Sequence, residues 1–161
     1  MSVEWDFRVG VGFDAHRFSQ DVARPLVLGG LSLPGPGLEG HSDGDVVTHA
    51  CIDALLGAAG LGDIGRHFPS EDPRHEGADS LEMLGQVVRM LGGQGWVAVN
   101  VDCTVVANAP RLEPHRVAMC GRLSVVVGAP VSVKATTTDG LGALGRGEGI
   151  ACFAVALLRR G

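Results

Sequence analysis

The residues best suited to chemistry lie in two short strings: Phe13-Asp14-Ala15-His16, and His41-Ser42-Asp43-Gly44-Asp45 with His49 just beyond. One carboxylate and two imidazoles form a donor set that suits a divalent ion such as zinc. Residues i and i+2 of a strand face the same side, so Asp14 and His16 can grip one ion if that segment is extended. A third ligand from elsewhere leaves one tetrahedral position open, as catalytic zinc requires. His49 is the candidate, because Asp45 to His49 reads as the first turn of a helix. Asp45, His49 and Asp53 follow at four-residue steps and share a helix face. A polar face with Asp45 as N-cap and Asp53 toward solvent accounts for the two acids. It does not account for His49, which sits among Val46, Ala50, Cys51 and Ile52.

A second constellation suits anions. Lys134-Ala135-Thr136-Thr137-Thr138-Asp139-Gly140-Leu141-Gly142 sets three hydroxyls beside glycines, where side-chain and backbone donors can meet phosphate oxygens. Arg146 follows in Gly145-Arg146-Gly147-Glu148-Gly149, where the backbone can approach a ligand closely. Asp139 would repel a bound phosphate unless a second hard cation lay between them. A strand end running into a Gly-rich turn produces the same string without any ligand. Two further stretches concentrate binding-type groups. One is Ala107-Asn108-Ala109-Pro110-Arg111, equally readable as a strand-to-helix turn; the other is the polar loop from Gly62 to Pro69.

The elements that must position these groups follow from periodicity. Arg8 to Phe13 alternates around Val9 and Val11 and predicts a strand. Pro25 to Leu33 predicts a second extended piece, ended by Pro34-Gly35-Pro36-Gly37. Helical spacing predicts a helix over Asp45 to Ala59 that stops at Gly60, and another over about Ala78 to Leu91. Gly62 to Pro69 reads as irregular. Trp96 to Ala107 predicts a strand, Pro114 to Val127 a helix and Val131 to Thr137 a strand. Gly149 to Leu158 is apolar enough for either a strand or a helix. The order β-β-α-α-β-α-β predicts an α+β layer, a mixed sheet with helices on one face.

Composition narrows the classes. At 161 residues the chain is expected to be one domain. A formal charge of −5 argues against a nucleic-acid partner, which demands a basic footprint. No apolar run approaches the length of a membrane span. Met1 to Arg8 carries charges without an apolar stretch, so no secretory signal is expected and the cytoplasm is the expected location. Cys51, Cys103, Cys120 and Cys152 form no Cys-x-x-Cys pair and read as buried reduced thiols.

Taken in order, the strings resemble the 2-C-methyl-D-erythritol 2,4-cyclodiphosphate synthase family of the non-mevalonate isoprenoid pathway. The resemblance runs from Val9-Gly10-Val11-Gly12-Phe13-Asp14-Ala15-His16 through His41-Ser42-Asp43-Gly44-Asp45 and Leu55-Leu56-Gly57-Ala58-Ala59. It continues through Leu61-Gly62-Asp63-Ile64-Gly65, Ala109-Pro110-Arg111, Ala135-Thr136-Thr137-Thr138 and Gly145-Arg146-Gly147-Glu148-Gly149-Ile150-Ala151. The length matches the single-activity form, so no fused cytidylyltransferase domain is expected.

That resemblance implies a ferredoxin-like α+β unit assembled as a homotrimer, with active sites between subunits and the last segment a strand facing the trimer interior. It implies zinc on Asp14, His16 and His49, and magnesium or manganese at Asp139. The implied reaction is metal-assisted intramolecular phosphoryl transfer. The implied substrate is 4-diphosphocytidyl-2-C-methyl-D-erythritol 2-phosphate and the implied products are the cyclic diphosphate and CMP, which would make the enzyme a phosphorus-oxygen lyase. His41 with Ser42, and Thr137, are the implied transition-state donors. Asp14, Ala15 and His16 belong to the implied substrate contacts, as do Asp63, Ile64 and Gly65 with the loop of Phe68, Pro69, Ser70, Glu71 and Asp72. Ala107, Asn108, Ala109, Pro110, Arg111, Leu112 and Glu113 match the cytidine pocket. Ala135, Thr136, Thr138 and Asp139 match the phosphate region. Arg146 and Glu148 match residues near the trimer axis, where some members hold an isoprenoid diphosphate.

The chain departs from the family pattern at three positions: Gly140 stands where lysine is common, Asp139 where glutamate is usual, and Ala143 where an aromatic is common. These departures are expected to alter affinity without abolishing activity. Two other readings stand beside this one. A metal-dependent phosphohydrolase would use water as attacker, with Asp53 or Asp45 as base. A non-catalytic trimer would sense a metal or an isoprenoid diphosphate.

Overall fold

A computed structural model describes residues 6–161. Strand β1 (Asp6–Arg17) runs past Phe13, so Asp14 and His16 lie inside it, both half-buried on its helix-facing side. The Pro25 to Leu33 piece is not one strand. It is a hairpin of β2 (Leu26–Leu28) and β3 (Leu31–Leu33). Gly29 and Gly30 form its turn with φ of 56° and 74°, the left-handed conformations that a two-residue hairpin turn requires.

Helix α1 (Val46–Ala59) has the expected limits, with Asp45 at its N-cap and left-handed Gly60 at its end. Asp45 is fully buried and does more than cap. One carboxylate oxygen accepts from the Gly29 and Thr48 amides (2.8 and 3.0 Å), the other from the Gly30 amide and the Thr48 hydroxyl (2.7 Å each). Burial pushes this carboxyl up from its ordinary pKa, and those donors oppose the shift. One carboxylate thereby ties the hairpin turn to the helix start.

The Gly62 to Pro69 stretch contains a single helical turn, α2 (Ile64–His67), capped by Asp63. Helix α3 (Ser80–Gly93) follows, and β4 (Val97–Val106) enters the sheet. A one-turn 3-10 segment at Glu113–His115 leads into α4 (Arg116–Val127). Then come β5 (Val131–Thr136), the short α5 (Gly142–Gly145) and β6 (Gly149–Arg160). The last segment is therefore a strand, which resolves the choice that periodicity left open.

The main sheet is ordered β1-β6-β4-β5, antiparallel except for β4 and β5, which α4 joins in parallel. This is a mixed α+β layer as expected. Its chain order, β-α-α-β-α-β-β without the hairpin, differs from the β-α-β-β-α-β order of a ferredoxin-like unit. The physical reason is that the helical crossover falls between β4 and β5, where a ferredoxin-like chain would turn back in a hairpin.

Helix α1 lies directly across β1 and β6, α4 covers β5, and α3 packs on α1 and α4. Ile52, Leu55 and Leu56 of α1 join Leu84, Met119, Leu123, Ile150 and Leu158 in the core. The opposite sheet face is open and apolar. Val9, Val11, Phe13, Phe153 and Val155 are all exposed there, with the Phe13 and Phe153 rings 4.7 Å apart. Cys51 Sγ lies 3.3 Å from Cys103 Sγ in the buried layer, both as free thiols. Among the described residues no helix is long and apolar enough to cross a membrane.

Close approach of α1 to β1 depends on two glycines. A Cβ at Gly12 would sit 2.0 Å from the Ala50 carbonyl oxygen, and one at Gly10 2.0 Å from that of Ala54. Ala50, Ala54 and Ala58 line the facing helix stripe at four-residue steps. Gly12→Ala is expected to lower stability by roughly 1–3 kcal/mol and to displace α1 from Asp14. Thermal unfolding and divalent-metal uptake measure both effects; an unchanged Tm with unchanged metal uptake would refute this account of the seam.

Candidate metal and substrate site

The same seam sets His49 opposite Asp14. Beyond Gly12 the strand presents Asp14 and His16 on the same face, and one residue before Ala50 the helix presents His49. Asp14 Oδ2 lies 2.7 Å from His16 Nε2 and 3.0 Å from His49 Nδ1, and the two ring nitrogens are 3.3 Å apart. The three donor atoms all fall within 4.8 Å of one another. That nitrogen separation matches the edge of a tetrahedron with metal–ligand bonds of about 2.0–2.1 Å. Two imidazole nitrogens and a carboxylate oxygen this close to one another aim three lone pairs at one point, which a single divalent cation can satisfy together. The donor set therefore fits the predicted ion.

Electrostatics support the same fit. Burial opposes ionisation of Asp14, yet hydrogen bonds and charge from His16 and His49 hold its carboxyl well below the usual carboxylate range. His49 is depressed by burial but raised on balance by Asp14, with help from Asp45 and Asp43. A field that raises proton affinity at this ring also raises its affinity for a metal cation.

The triad opens on a cavity of about 230 Å³, with Ile64, Gly65, Phe68 and Ser70 on its wall beside His41 and Ser42. Asp53 shapes that wall by accepting the Ile64 amide at 2.8 Å. His41 Nε2 donates to the Asp72 carbonyl at 3.3 Å. The Asp72 carboxylate faces Arg74, with an Nη2 to Oδ2 distance of 2.5 Å, and Asp63 caps α2. Neither acid lines the cavity, nor do Pro69 and Glu71.

The second constellation lies elsewhere. Ala107, Asn108, Pro110, Arg111, Leu112 and Glu113 line a separate cavity of about 280 Å³ with Ala135, Thr136 and Thr137. Ala109 sits exposed in the same turn. Thr137 Oγ1 donates to Asp139 Oδ1 at 3.3 Å, and Thr138 Oγ1 to the Leu141 carbonyl at 2.6 Å. Lys134 turns away to pair with Asp102. Ala143 and Glu148 border a third hollow of about 180 Å³ beside Ala15, His16 and Arg17, and exposed Arg146 pairs with Glu148 at 3.2 Å.

Sheet register shows how the first two cavities relate. Asp14 is level with Cys152, Cys152 with Val105, and Val105 with Ala135. The metal triad and the threonine loop therefore stand at one height on opposite edges, separated by three strand spacings of about 4.8 Å each. Within one chain they do not converge.

A sequence profile described as the YgbB family matches residues 7–159. The chain belongs to the YgbB family. Relatives named 2-C-methyl-D-erythritol 2,4-cyclodiphosphate synthase include that of Bordetella petrii, 52% identical with 96% of each chain covered. That of Synechococcus sp. CC9311 is 53% identical with 94% of each covered. Among solved structures, IspF of Plasmodium falciparum in a CDP complex matches with TM-score 0.83 and 32% identity, covering 96% of each chain. The bifunctional IspDF of Campylobacter jejuni matches with TM-score 0.92 and 39% identity; this chain covers 43% of that protein and is itself 98% covered.

In this YgbB-family chain, sequence reasoning overlooked His75 and Met83, which also line the triad cavity, and Ser80, which touches His49. The only local signal at Ser80 was its place at a helix start. His49→Ala in this YgbB-family site is expected to abolish divalent-metal retention and cut turnover by several orders of magnitude. Metal analysis after dialysis checks the first effect; a stoichiometric divalent ion in the variant would show that His49 is not a ligand.

Proposed function

We propose that this protein is a 2-C-methyl-D-erythritol 2,4-cyclodiphosphate synthase. The carrying observation is the convergence of Asp14, His16 and His49 at the mouth of one cavity. Relatives of that name, above 50% identical over nearly the whole chain, support the reading. The proposed substrate is 4-diphosphocytidyl-2-C-methyl-D-erythritol 2-phosphate. Its 2-phosphate oxygen bonds to the β-phosphorus while the bond from that phosphorus to the oxygen bridging to the α-phosphate breaks, and CMP leaves. No protein nucleophile is required.

The chain's own task is to fold a flexible polyanion into that geometry and meet the charge that develops. Ile64, Gly65, Phe68 and Ser70 would seat the methylerythritol carbons, with His41 and Ser42 as donors at the cavity mouth. Pro69, Glu71, Asp72 and Asp63 would hold that loop in place. The cavity at Ala107 to Glu113 would take the cytidine; the Plasmodium falciparum relative, a CDP complex, supports a cytidine nucleotide as the ligand class. Thr136, Thr137 and Thr138 would donate to the diphosphate. When bound, zinc at Asp14, His16 and His49, and magnesium or manganese at Asp139, would supply Lewis-acid polarisation of the phosphates. A hydrolase would instead need a free base near the triad. Asp45 has both oxygens engaged by four donors, and Asp53 holds the Ile64 amide.

The half-sites on opposite sheet edges argue that one active site is completed by two chains. The open apolar face of Val9, Val11, Phe13, Phe153 and Val155 gives such copies a surface to bury. A head-to-tail contact of one edge with the other closes into a ring, and a homotrimer is the proposed closure. Arg146 and Glu148 would then approach its axis, the proposed place for an isoprenoid diphosphate. The proposed setting is the cytoplasm.

Incubation of the protein with the cytidine diphosphate ester, zinc and magnesium is expected to yield cyclic diphosphate and CMP in equal amounts. Linear phosphate release would overturn the assignment. Mixing unfolded His49→Ala and Asp139→Ala chains and refolding them together is expected to restore part of the lost turnover, because some interfaces then carry both intact halves. No recovery in verified mixed assemblies would show that the site is not shared.

A further inference from the structure

His49 presents Nδ1 to the triad, and its other ring nitrogen is held from behind. Nε2 lies 2.8 Å from Ser80 Oγ and 3.0 Å from Ser42 Oγ. Ser80 Oγ in turn donates to Asp43 Oδ1 at 2.5 Å, and the Ser80 amide donates to Asp43 Oδ2 at 3.0 Å. Asp43 is fixed further by the Asp45 amide, which donates to Oδ1 at 3.0 Å. Ser80 is fully buried at the start of α3, and Ser42 is buried in the loop before α1.

Donor counting along this chain gives a direction. An ionised carboxylate only accepts, so the single Ser80 hydroxyl proton is committed to Asp43. Ser80 Oγ can then meet Nε2 only as an acceptor, which places a proton on Nε2. With that proton on Nε2, a neutral His49 carries none on Nδ1, and its lone pair there faces Asp14 and His16. Ser42 Oγ can share the same N–H, leaving its own proton free to point toward the cavity.

We propose that Ser80 and Asp43 are positioning residues that fix the His49 tautomer and ring orientation needed to bind metal through Nδ1. The inference rests on the metal-site reading above but concerns residues with no role in it so far. Metal-bound imidazoles commonly owe affinity to such an outer partner, and losing one costs about 10- to 100-fold. Among the described residues, only Ser42 also meets this ring from behind. The segments involved are distant in sequence, so the bond also docks the start of α3 onto the loop carrying His41 and Ser42.

The test is zinc competition against a chelator, with the parent, Ser80→Ala and Asp43→Asn each checked for an intact fold by thermal melting. Ser80→Ala is expected to weaken zinc by about 10- to 100-fold. Asp43→Asn, which leaves Ser80 in place but allows the relay to reverse, is expected to weaken it too. In nitrogen-15 spectra of the zinc-loaded protein, the His49 Nε2 proton should move upfield in Ser80→Ala as its acceptor is lost. Zinc affinities within about twofold of the parent in both variants, or an unmoved Nε2 signal, would overturn the relay while leaving the metal site intact. A parent that takes up no zinc would overturn both. Normal zinc binding without cyclic product would sink the proposed activity alone.

Discussion

The closeness of α1 to β1 governs everything that follows at the site. Two glycines on one strand face meet three alanines on one helix stripe, and backbone meets backbone with no room for a Cβ at Gly10 or Gly12. An ordinary helix-on-sheet spacing, set by Val or Leu side chains, would lift α1 by several ångströms. His49 would then no longer reach Asp14 from its helix. The loss of side-chain burial at the seam is offset because Ile52, Leu55 and Leu56 turn to the helix's other neighbours and remain fully buried. Packing and metal geometry are thus one constraint.

The same sheet decides where the proposed phosphate-binding groups can stand. A strand edge holds Asp14 and His16, and the opposite edge leads into Thr136 to Asp139 at the same height. Nothing inside one chain can fold these edges together, because β6 and β4 lie between them. The sheet instead offers its two half-sites outward, beside an apolar face whose exposed Phe and Val side chains are costly to leave in water. Assembly would both bury that face and join the halves. Such an assembly would cover Thr137 and Asp139, which are exposed in their own chain.

How much of this was legible beforehand varies with the physics that encodes it. Helix limits were readable at α1 because Asp45 and Gly60 act locally, through capping and a left-handed end. The metal triad was readable because strand and helix periodicity fix which residues share a face. The hairpin was not read, since its strands are only three residues long and give periodicity little to act on. Alternation around Val9 and Val11 named a strand but not its inward face; the structure turns the glycines inward and the valines out. Ser80 was invisible because its bond to His49 spans 31 residues and depends on how α3 docks. The ferredoxin-like label failed on connectivity, which no motif in the chain encodes.

The partners of the acids around the triad leave only Asp14 free to serve as a ligand of the proposed ion. With Asp14 alone coordinating, a divalent ion would keep a net positive charge and would still attract phosphate. A second carboxylate in contact would remove that surplus and weaken the attraction. Asp43 and Asp45 stand close enough to raise the proton affinity of His49, yet their oxygens are turned to backbone amides and to hydroxyls of Ser80 and Thr48. Asp53 gives one oxygen to the Ile64 amide. Each acid therefore spends its hydrogen-bonding capacity on positioning a segment: the hairpin, the α3 start and the cavity wall. Their charge enriches the field behind His49 without reaching the ion's open side. The rear of the site is negative and ordered, and an ion held by the triad would leave its front electrophilic toward a polyanion.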